Sequence, residues 1–228
     1  MRTAFEAQQH FVADAAHELR TPLAALRLQA QSLDRADTLE ARRVAVGRLT
    51  AGIDRATRLV EQLLILARQE ASAAEGTAAK TRPVDLADLA RRTAADLAGV
   101  AAAKGVDIGV QQADPASVDG HPDALQILLR NLVDNGIKYT PGGGTVDISV
   151  LDDGKRVTVL VEDSGPGIPA DERERVFDRF YRVAGSEAAG SGLGLAIIKA
   201  IAERHGATLT LDRSERLGGL KAIVSFKA

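Results

Sequence analysis

Four stretches of this chain place reactive or phosphate-binding residue types at chemically usable spacings. The first is His17-Glu18-Leu19-Arg20-Thr21-Pro22. A neutral imidazole is a nucleophile, and an adjoining carboxylate can orient it and accept its proton. Thr21 follows His17 by four residues, so on a helix the two share a face. Standing alone, His17 reads more simply as a surface residue on a polar helix. Pro22 weighs against that reading, because proline inside a helix costs about 3 kcal/mol and calls for a reason. The second stretch is Asn131-Leu-Val-Asp-Asn135-Gly-Ile-Lys138-Tyr139. Two amides at i and i+4 offer oxygen to a hard cation such as Mg²⁺, and the lysine suits a phosphate. The alternative is a solvated helix face. Gly136 inside the helix signals close packing or a local defect.

The third stretch, Asp163-Ser-Gly165-Pro-Gly167-Ile168, directly follows an apolar run from Val157 to Val161. A carboxylate there could accept from an exocyclic amine, and the glycines would let a ring approach the backbone. A plain Pro-Gly turn is the simpler reading. The fourth is Gly190-Ser-Gly192-Leu193-Gly194, opening a helical stretch. Free N–H groups and the positive dipole end make a glycine-rich loop before a helix a phosphate site. A dinucleotide fingerprint would need a preceding strand. Val183 to Ala189 is instead small and polar and reads as a lid over phosphates. Between the third and fourth stretches lie Phe177, Arg179, Phe180, Tyr181 and Arg182. The aromatics read as the lid's anchor, and Arg179 or Arg182 could reach a terminal phosphate.

Two different kinds of sequence must position these groups. The chain has 228 residues, 21 glycines and 7 prolines, yet only Gly47, Gly52 and Pro22 precede residue 76. In residues 1–70 apolar positions recur every three or four residues. One stripe runs Phe11, Ala15, Leu19, Leu23, Leu26, Ala30, Leu33, and a second runs from Val46 to Ala67. That periodicity predicts two long helices, with Thr38 as the second helix's N-cap. One hairpin cannot bury both stripes well, whereas two can form a four-helix bundle, so a homodimer is expected. Residues 71–82 read as a linker. Residues 83–228 alternate between helix and strand patterns. Helices are predicted at 85–103, 123–138 and 195–205, the last closed by Gly206. Strands are predicted at 106–110, 145–151, 156–162, 208–211 and 221–226. The fold class is therefore multi-domain: an all-α hairpin, then an α+β layer with helices on one face of a mixed sheet.

Charge and composition remove other classes. Lys+Arg is 29 and Asp+Glu is 31, so the basic excess of a nucleic-acid binder is missing. There are no cysteines, which excludes disulfides, thiolate metal sites and a cysteine nucleophile. No run of apolar residues is long enough to span a membrane, and the N-terminus has no apolar signal core. The chain reads as soluble and intracellular. His10, His121 and His205 belong to no recognisable ligand set.

Taken in order, these stretches resemble the cytoplasmic core of bacterial sensor histidine kinases. FVADAAHELRTPLAAL is similar to the family's H box, LRNLVDNGIKYTP to its N box, DSGPGIP to its G1 box, FDRFYR to its F box and GSGLGLAI to its G2 box. Five boxes in order, across about residues 5–226, are far more specific than any one. The resemblance implies that His17 is the phosphoacceptor, Glu18 its proton acceptor, and Thr21 a residue that helps position water in dephosphorylating the partner. It implies ATP and Mg²⁺ as cofactors. Asn135 would ligate the metal, with Asn131, Lys138 and Tyr139 around the phosphates. Asp163 would bind the adenine amine in a pocket shaped by Gly165, Gly167 and Ile168. Gly190, Gly192, Leu193 and Gly194 would hold the lid end and phosphates, with Arg182 nearby. The domain holding them would have the α/β sandwich of the gyrase-like ATPases.

The implied partners are a second copy and the receiver domain of a response regulator. Membrane association would come only through segments upstream of this chain. Sixteen residues precede His17, so an excised cytoplasmic fragment of an inner-membrane protein, or a soluble member, is expected. Gly136 stands where the family usually has alanine. ATP hydrolases of the same nucleotide fold carry glutamate where Asn131 stands, and an amide cannot act as general base for water. That difference favours holding ATP intact for transfer to His17. A degenerate, non-catalytic module would lack one or more of these groups, and all are present.

Overall fold

The computed structural model describes the backbone of residues 2–75, 81–183 and 190–227, and the side chains of these except 2–12, 14 and 69–75. The chain divides into two compact units, Met1–Ile65 and Leu66–Ala228.

The first unit holds helix α1 (Arg2–Asp34) and most of α2 (Leu39–Glu75). Thr38 caps α2 as its type suggests: its Oγ1 accepts from the Ala41 N–H at 3.1 Å. α1 runs on past Pro22, which has no N–H to give the carbonyl of Glu18. The two helices approach closely at Gly52, where a Cβ would stand 2.8 Å from Leu26 Cδ2 and 2.5 Å from Gln29 Oε1. Ala45, Leu59 and Leu63 are buried, while Leu23, Leu28, Val46, Ile53, Val60 and Leu64 stay exposed. The linker expected over 71–82 is shorter than its composition suggested. Residues 71–75 continue α2 and Arg82 already begins a strand. Ala71, Ala73, Ala74 and Glu75 are strong helix formers, so the helix extends over them. Residues 76–80 lie outside the described residues.

The second unit contains β1 (Arg82–Asp85), α3 (Leu86–Lys104), β2 (Asp107–Ala113), β3 (Ser117–Gly120), α4 (Pro122–Tyr139), β4 (Thr145–Asp152), β5 (Arg156–Asp163), α5 (Gly194–Arg204), β6 (Thr208–Arg213) and β7 (Leu220–Lys227). β2, β4, β5, β7 and β6 form one sheet in that order. β2 runs parallel to β4 and every other pairing is antiparallel, so the sheet is mixed. α3 contacts β2 and β4, α4 contacts β4 and β5, and α5 contacts β6. Val157, Val159, Val161 and Asp163 alternate inward along β5, between Val146, Ile148 and Val150 of β4 and Ala222, Val224 and Phe226 of β7. Leu125, Leu129, Val133 and Ile137 of α4 and Ile197, Ile198 and Ile201 of α5 are buried with them. Each Val, Leu, Ile or Phe among them contributes roughly 1.5–3 kcal/mol by leaving water, and this face is the core.

Two features escaped the sequence patterns. β1 and β3 form a separate two-stranded sheet. Single turns of 3₁₀ helix occupy 170–172 and 175–177. Among the described residues no helix is long and apolar enough to cross a membrane.

Candidate functional site

α4 presents its polar groups where the amphipathic pattern places them. Asn131 donates its Nδ2 to the Ile127 carbonyl of its own helix at 2.8 Å, leaving Oδ1 as an acceptor. A Cβ on Gly194 would stand 3.2 Å from Asn135 Nδ2 and 3.5 Å from both Asn131 Oδ1 and Asn135 Oδ1. The first residue of α5 is thus laid against both amides. Lys138 Nζ donates to the Tyr139 hydroxyl at 3.0 Å and lies 4.4 Å from its ring centroid. A Cβ on Gly190 would collide with that ammonium. Gly136 serves close packing: a Cβ there would stand 3.0 Å from Val146 Cγ1.

Asp163 ends β5 and is 5% exposed. Its Oδ1 accepts from the N–H groups of Gly165 at 2.9 Å and Leu220 at 3.0 Å. Burial pushes its pKa up, and the Leu220 and Gly165 N–H groups oppose that rise. Among the described residues both hydrogen bonds fall on Oδ1, so Oδ2 is the oxygen a ligand amine would use. A Cβ on Gly165 would stand 2.9 Å from the Tyr139 carbonyl oxygen, and one on Gly219 would collide with Asp163. Gly167 turns the chain at φ 72°. The Ile168 carbonyl accepts from Arg173 Nε at 3.2 Å, and Arg173 also pairs with Asp212 at 2.8 Å.

The aromatic cluster meets the glycine loop through its backbone. The Phe180 N–H donates to the Gly192 carbonyl at 3.1 Å. Phe180 has φ 63°, the left-handed region, which costs a non-glycine residue roughly 1–2 kcal/mol. Gly192 opposite it has φ 72°, and a Cβ there would stand 2.5 Å from the Phe180 carbonyl carbon. The Tyr181 hydroxyl donates to Glu172, and Arg175 lies 4.4 Å from the Tyr181 ring centroid. Leu193 is fully buried at the entrance to α5, its N–H donating to Ser191 Oγ at 3.2 Å. Arg182 is exposed. Residues 184–189, the body of the expected lid, lie outside the described residues.

Asn131, Asn135, Lys138, Tyr139, Asp163, Gly165, Gly167, Gly190, Gly192 and Gly194 therefore gather where α4, the end of β5 and the start of α5 meet. His17, Glu18 and Thr21 belong to the other unit. There His17 and Thr21 are exposed and Glu18 is half-buried on α1.

Three supports were missed from the sequence. Lys104 Nζ donates to the carbonyls of Ile137, at 2.8 Å, and Lys138. The only signal was a basic residue in the last turn of α3. The β6–β7 connection brings Gly219 and Leu220 to Asp163. Its Gly218-Gly219 pair marked a turn without a destination. His121 and His205, read as ordinary residues, form a pair. The His121 N–H donates to His205 Nε2 at 3.0 Å, while His205 Nδ1 donates to the Ile201 carbonyl at 2.7 Å. Arg204 contacts His121 Nε2 at 3.2 Å. Burial lowers both imidazole pKa values, with Arg204 and, for His205, the neighbouring His121 adding to it.

The residues present fit a nucleotide. A buried carboxylate suits an amine-bearing base, and Gly165, Gly190 and Gly192 stand beside it and beside Lys138 where a Cβ would crowd Tyr139, Lys138 and Phe180. One ammonium beside a glycine loop suits phosphate. Among the described residues no group of three His, Asp or Glu side chains gathers as a metal cage. A divalent cation here fits an amide oxygen plus substrate phosphates, the pattern Mg²⁺ favours.

An α/β layer with this cradle follows, along the chain, a helical hairpin that carries an exposed histidine. Comparison with known proteins agrees. Residues 7–72 match the His Kinase A (phospho-acceptor) domain, and residues 120–228 match the histidine kinase-, DNA gyrase B- and HSP90-like ATPase family. The chain is 38% identical over 221 residues to the sensor protein QseC of Escherichia coli K12, covering 96% of this chain and 47% of that protein. It is 37% identical over 225 residues to the sensor protein kinase PmrB of Pseudomonas aeruginosa, covering 98% of this chain and 46% of that one. A solved structure of the mycobacterial sensor histidine kinase MprB is 31% identical, with a TM-score of 0.56, over 64% of this chain and 97% of that one. The chain belongs to the sensor histidine kinases. It spans about half the length of the curated relatives it matches.

Proposed function

We propose that this chain is the core of an ATP-dependent protein-histidine kinase that phosphorylates itself on His17 and passes the phosphoryl group to an aspartate of a response regulator. In this reading residues 1–70 dimerise and carry the phosphoacceptor, the segment after α2 ends at Glu75 connects, and the unit from Arg82 onward holds ATP. The observation that carries it is the convergence of Asn131, Asn135 and Lys138 with Gly190–Gly194 beside the buried Asp163 carboxylate.

Each group then has a role. Asp163 Oδ2 accepts from the adenine amine, in a slot left by Gly165, Gly167 and Ile168. Lys138 and Tyr139, with Asn131 and Arg182, surround the phosphates. Gly190, Gly192, Leu193 and Gly194 present backbone N–H groups and the dipole of α5 to them. Asn135 Oδ1 would hold Mg²⁺, which supplies charge neutralisation on the phosphates when bound. One imidazole nitrogen of His17 attacks the γ-phosphorus. The bond from that phosphorus to the bridging oxygen breaks, ADP leaves, and Glu18 takes the proton from the other ring nitrogen. Thr21, exposed one turn beyond His17, would help position water when the regulator is dephosphorylated. The exposed Leu23, Ile53, Val60 and Leu64 of the hairpin support a dimer with a second copy.

The test is incubation with γ-labelled ATP and Mg²⁺, comparing the parent chain with His17→Gln. Acid-labile, alkali-stable label in the parent and none in the variant is expected. Label that persists in the variant would refute His17 as acceptor.

A further inference from the structure

The loop from Ser214 to Gly219, between β6 and β7, clasps the end of β5 on both faces of the sheet. In the plane of the sheet the Gly219 N–H donates to the Asp163 carbonyl at 3.1 Å, and on the inner face the Leu220 N–H donates to Asp163 Oδ1 at 3.0 Å. On the outer face Ser214 Oγ donates to Glu162 Oε1 at 2.8 Å and accepts from the Leu217 N–H at 3.0 Å. Arg216 Nη2 lies 2.6 Å from Asp147 Oδ2 and 3.6 Å from Glu162 Oε2. Gln111 Nε2 donates to Asp147 Oδ1 at 3.2 Å.

This cluster has a cost that calls for a return. Asp147 and Glu162 are direct partners in the β4–β5 register, and like charges opposite one another are destabilising. Asp147 is only 3% exposed. Arg216 offsets part of that repulsion, pairing closely with Asp147 and more distantly with Glu162, and it sits three residues before Gly219 in a loop holding two adjacent glycines. Gly218 has φ 85°, a conformation glycine adopts without strain, and the turn is closed by the Ser214 N–H donating to the Gly219 carbonyl and the Gly218 N–H to the Ser214 carbonyl, each at 2.8 Å. The guanidinium and Ser214 are what tie the loop to the strand from outside. The inner hydrogen bonds to Asp163 depend on the loop's position.

We propose that Arg216, through Asp147 and Glu162, is a positioning residue for base recognition. By fixing the Ser214–Gly219 loop it sets the Leu220 N–H that orients the Asp163 carboxylate toward the nucleotide's exocyclic amine. The inference rests on the reading of Asp163 as the adenine acceptor. It assigns a second layer of selectivity to the open face of the sheet, away from every residue that would touch ATP.

The test measures binding of ATP and of inosine triphosphate, which carries oxygen where adenine carries the amine, to the full chain. Removing Arg216 alone would strand a buried carboxylate and threaten the fold. The informative variant is therefore Arg216→Met with Asp147→Asn. ATP affinity is expected to fall about tenfold, the scale of one lost hydrogen bond to a charged group, while affinity for the inosine nucleotide holds. Arg216→Lys, which keeps the charge, should recover most of the preference. Equal weakening toward both nucleotides, or an unchanged preference, would overturn the positioning role. Asp163→Asn, run in parallel, separates the two layers. If it leaves the preference intact, the reading of Asp163 fails and takes this proposal with it. If it removes the preference while the double variant keeps it, only the role of Arg216 fails.

Discussion

Lys104 closes α4 from a neighbouring helix: its Nζ donates to the carbonyl of Ile137 at 2.8 Å. The last carbonyls of a helix lack partners within it and carry the negative end of its dipole. A cation held there anchors the very turn that carries Lys138 and Tyr139. Lys104→Met should lower stability by about 1.5–3 kcal/mol, the range for hydrogen bonds to charged groups. Urea unfolding checks this, and an unchanged midpoint would show that Lys104 contributes nothing.

If Asp163 takes the adenine amine as proposed, Asp163→Asn should weaken ATP binding at least tenfold, because an amide nitrogen would then face the base's donor. The pH dependence has a definite sign. The folded pKa is raised by burial, so as pH rises from about 3.9 the unfolded chain releases its proton first. Stability from this group is full at low pH and declines as pH passes through the folded value. ATP affinity moves the other way, rising as the carboxylate forms. The variant should lose both dependences, read by unfolding and by calorimetric titration across pH 4–7.

The His121–His205 pair gives the opposite slope. Both folded pKa values are lowered, chiefly by burial. Their contribution is therefore complete above the ordinary imidazole value of about 6.5 and drains away as pH falls through the folded values. A protonated His205 Nε2 can no longer accept from the His121 N–H. His205→Gln should flatten the loss of stability between pH 7 and 5, measured as thermal midpoints.

Gly192→Ala should leave the fold standing and damage the site. The left-handed backbone costs alanine roughly 1–2 kcal/mol, and its Cβ would strike Phe180. The expected result is a far-ultraviolet dichroism spectrum like the parent's, with ATP affinity reduced about tenfold or more. Parental affinity would separate the Phe180–Gly192 contact from nucleotide binding.

On the hairpin, Ile53→Lys combined with Leu64→Lys places charge on two residues that are exposed in the single chain. If they form the seam of a four-helix bundle, sedimentation should show the mass halve. An unchanged dimer would place the seam elsewhere on the hairpin.

Local patterns were enough to read most of the elements. The period of the apolar residues marks α4, and strict alternation marks the β4–β5 hairpin, because each is stabilised by one face turned inward. Asp163 was legible for the same reason: it ends an alternating run and a glycine turn follows. Thr38 was legible as a cap because a cap bonds three residues away, within reach of local chemistry. α2's extension over 71–75 was missed because a small, polar composition was read as a linker although alanine favours helix. β1 and β3 were missed for a different reason. Each is four residues long, and their register pairs Arg82 with Gly120 across a helix and another strand.

The residue types of the site, and their order along the chain, were set by the sequence alone. Tertiary structure decided what holds them. Leu220 reaches Asp163 across 57 positions and His205 reaches His121 across 84. Arg216 meets Asp147 because the β6–β7 loop folds back over the outer face of the sheet. Hydrogen bonds and ion pairs act only over a few ångströms, so their partners are chosen by which strands become neighbours. That choice is made by burying the whole apolar face at once.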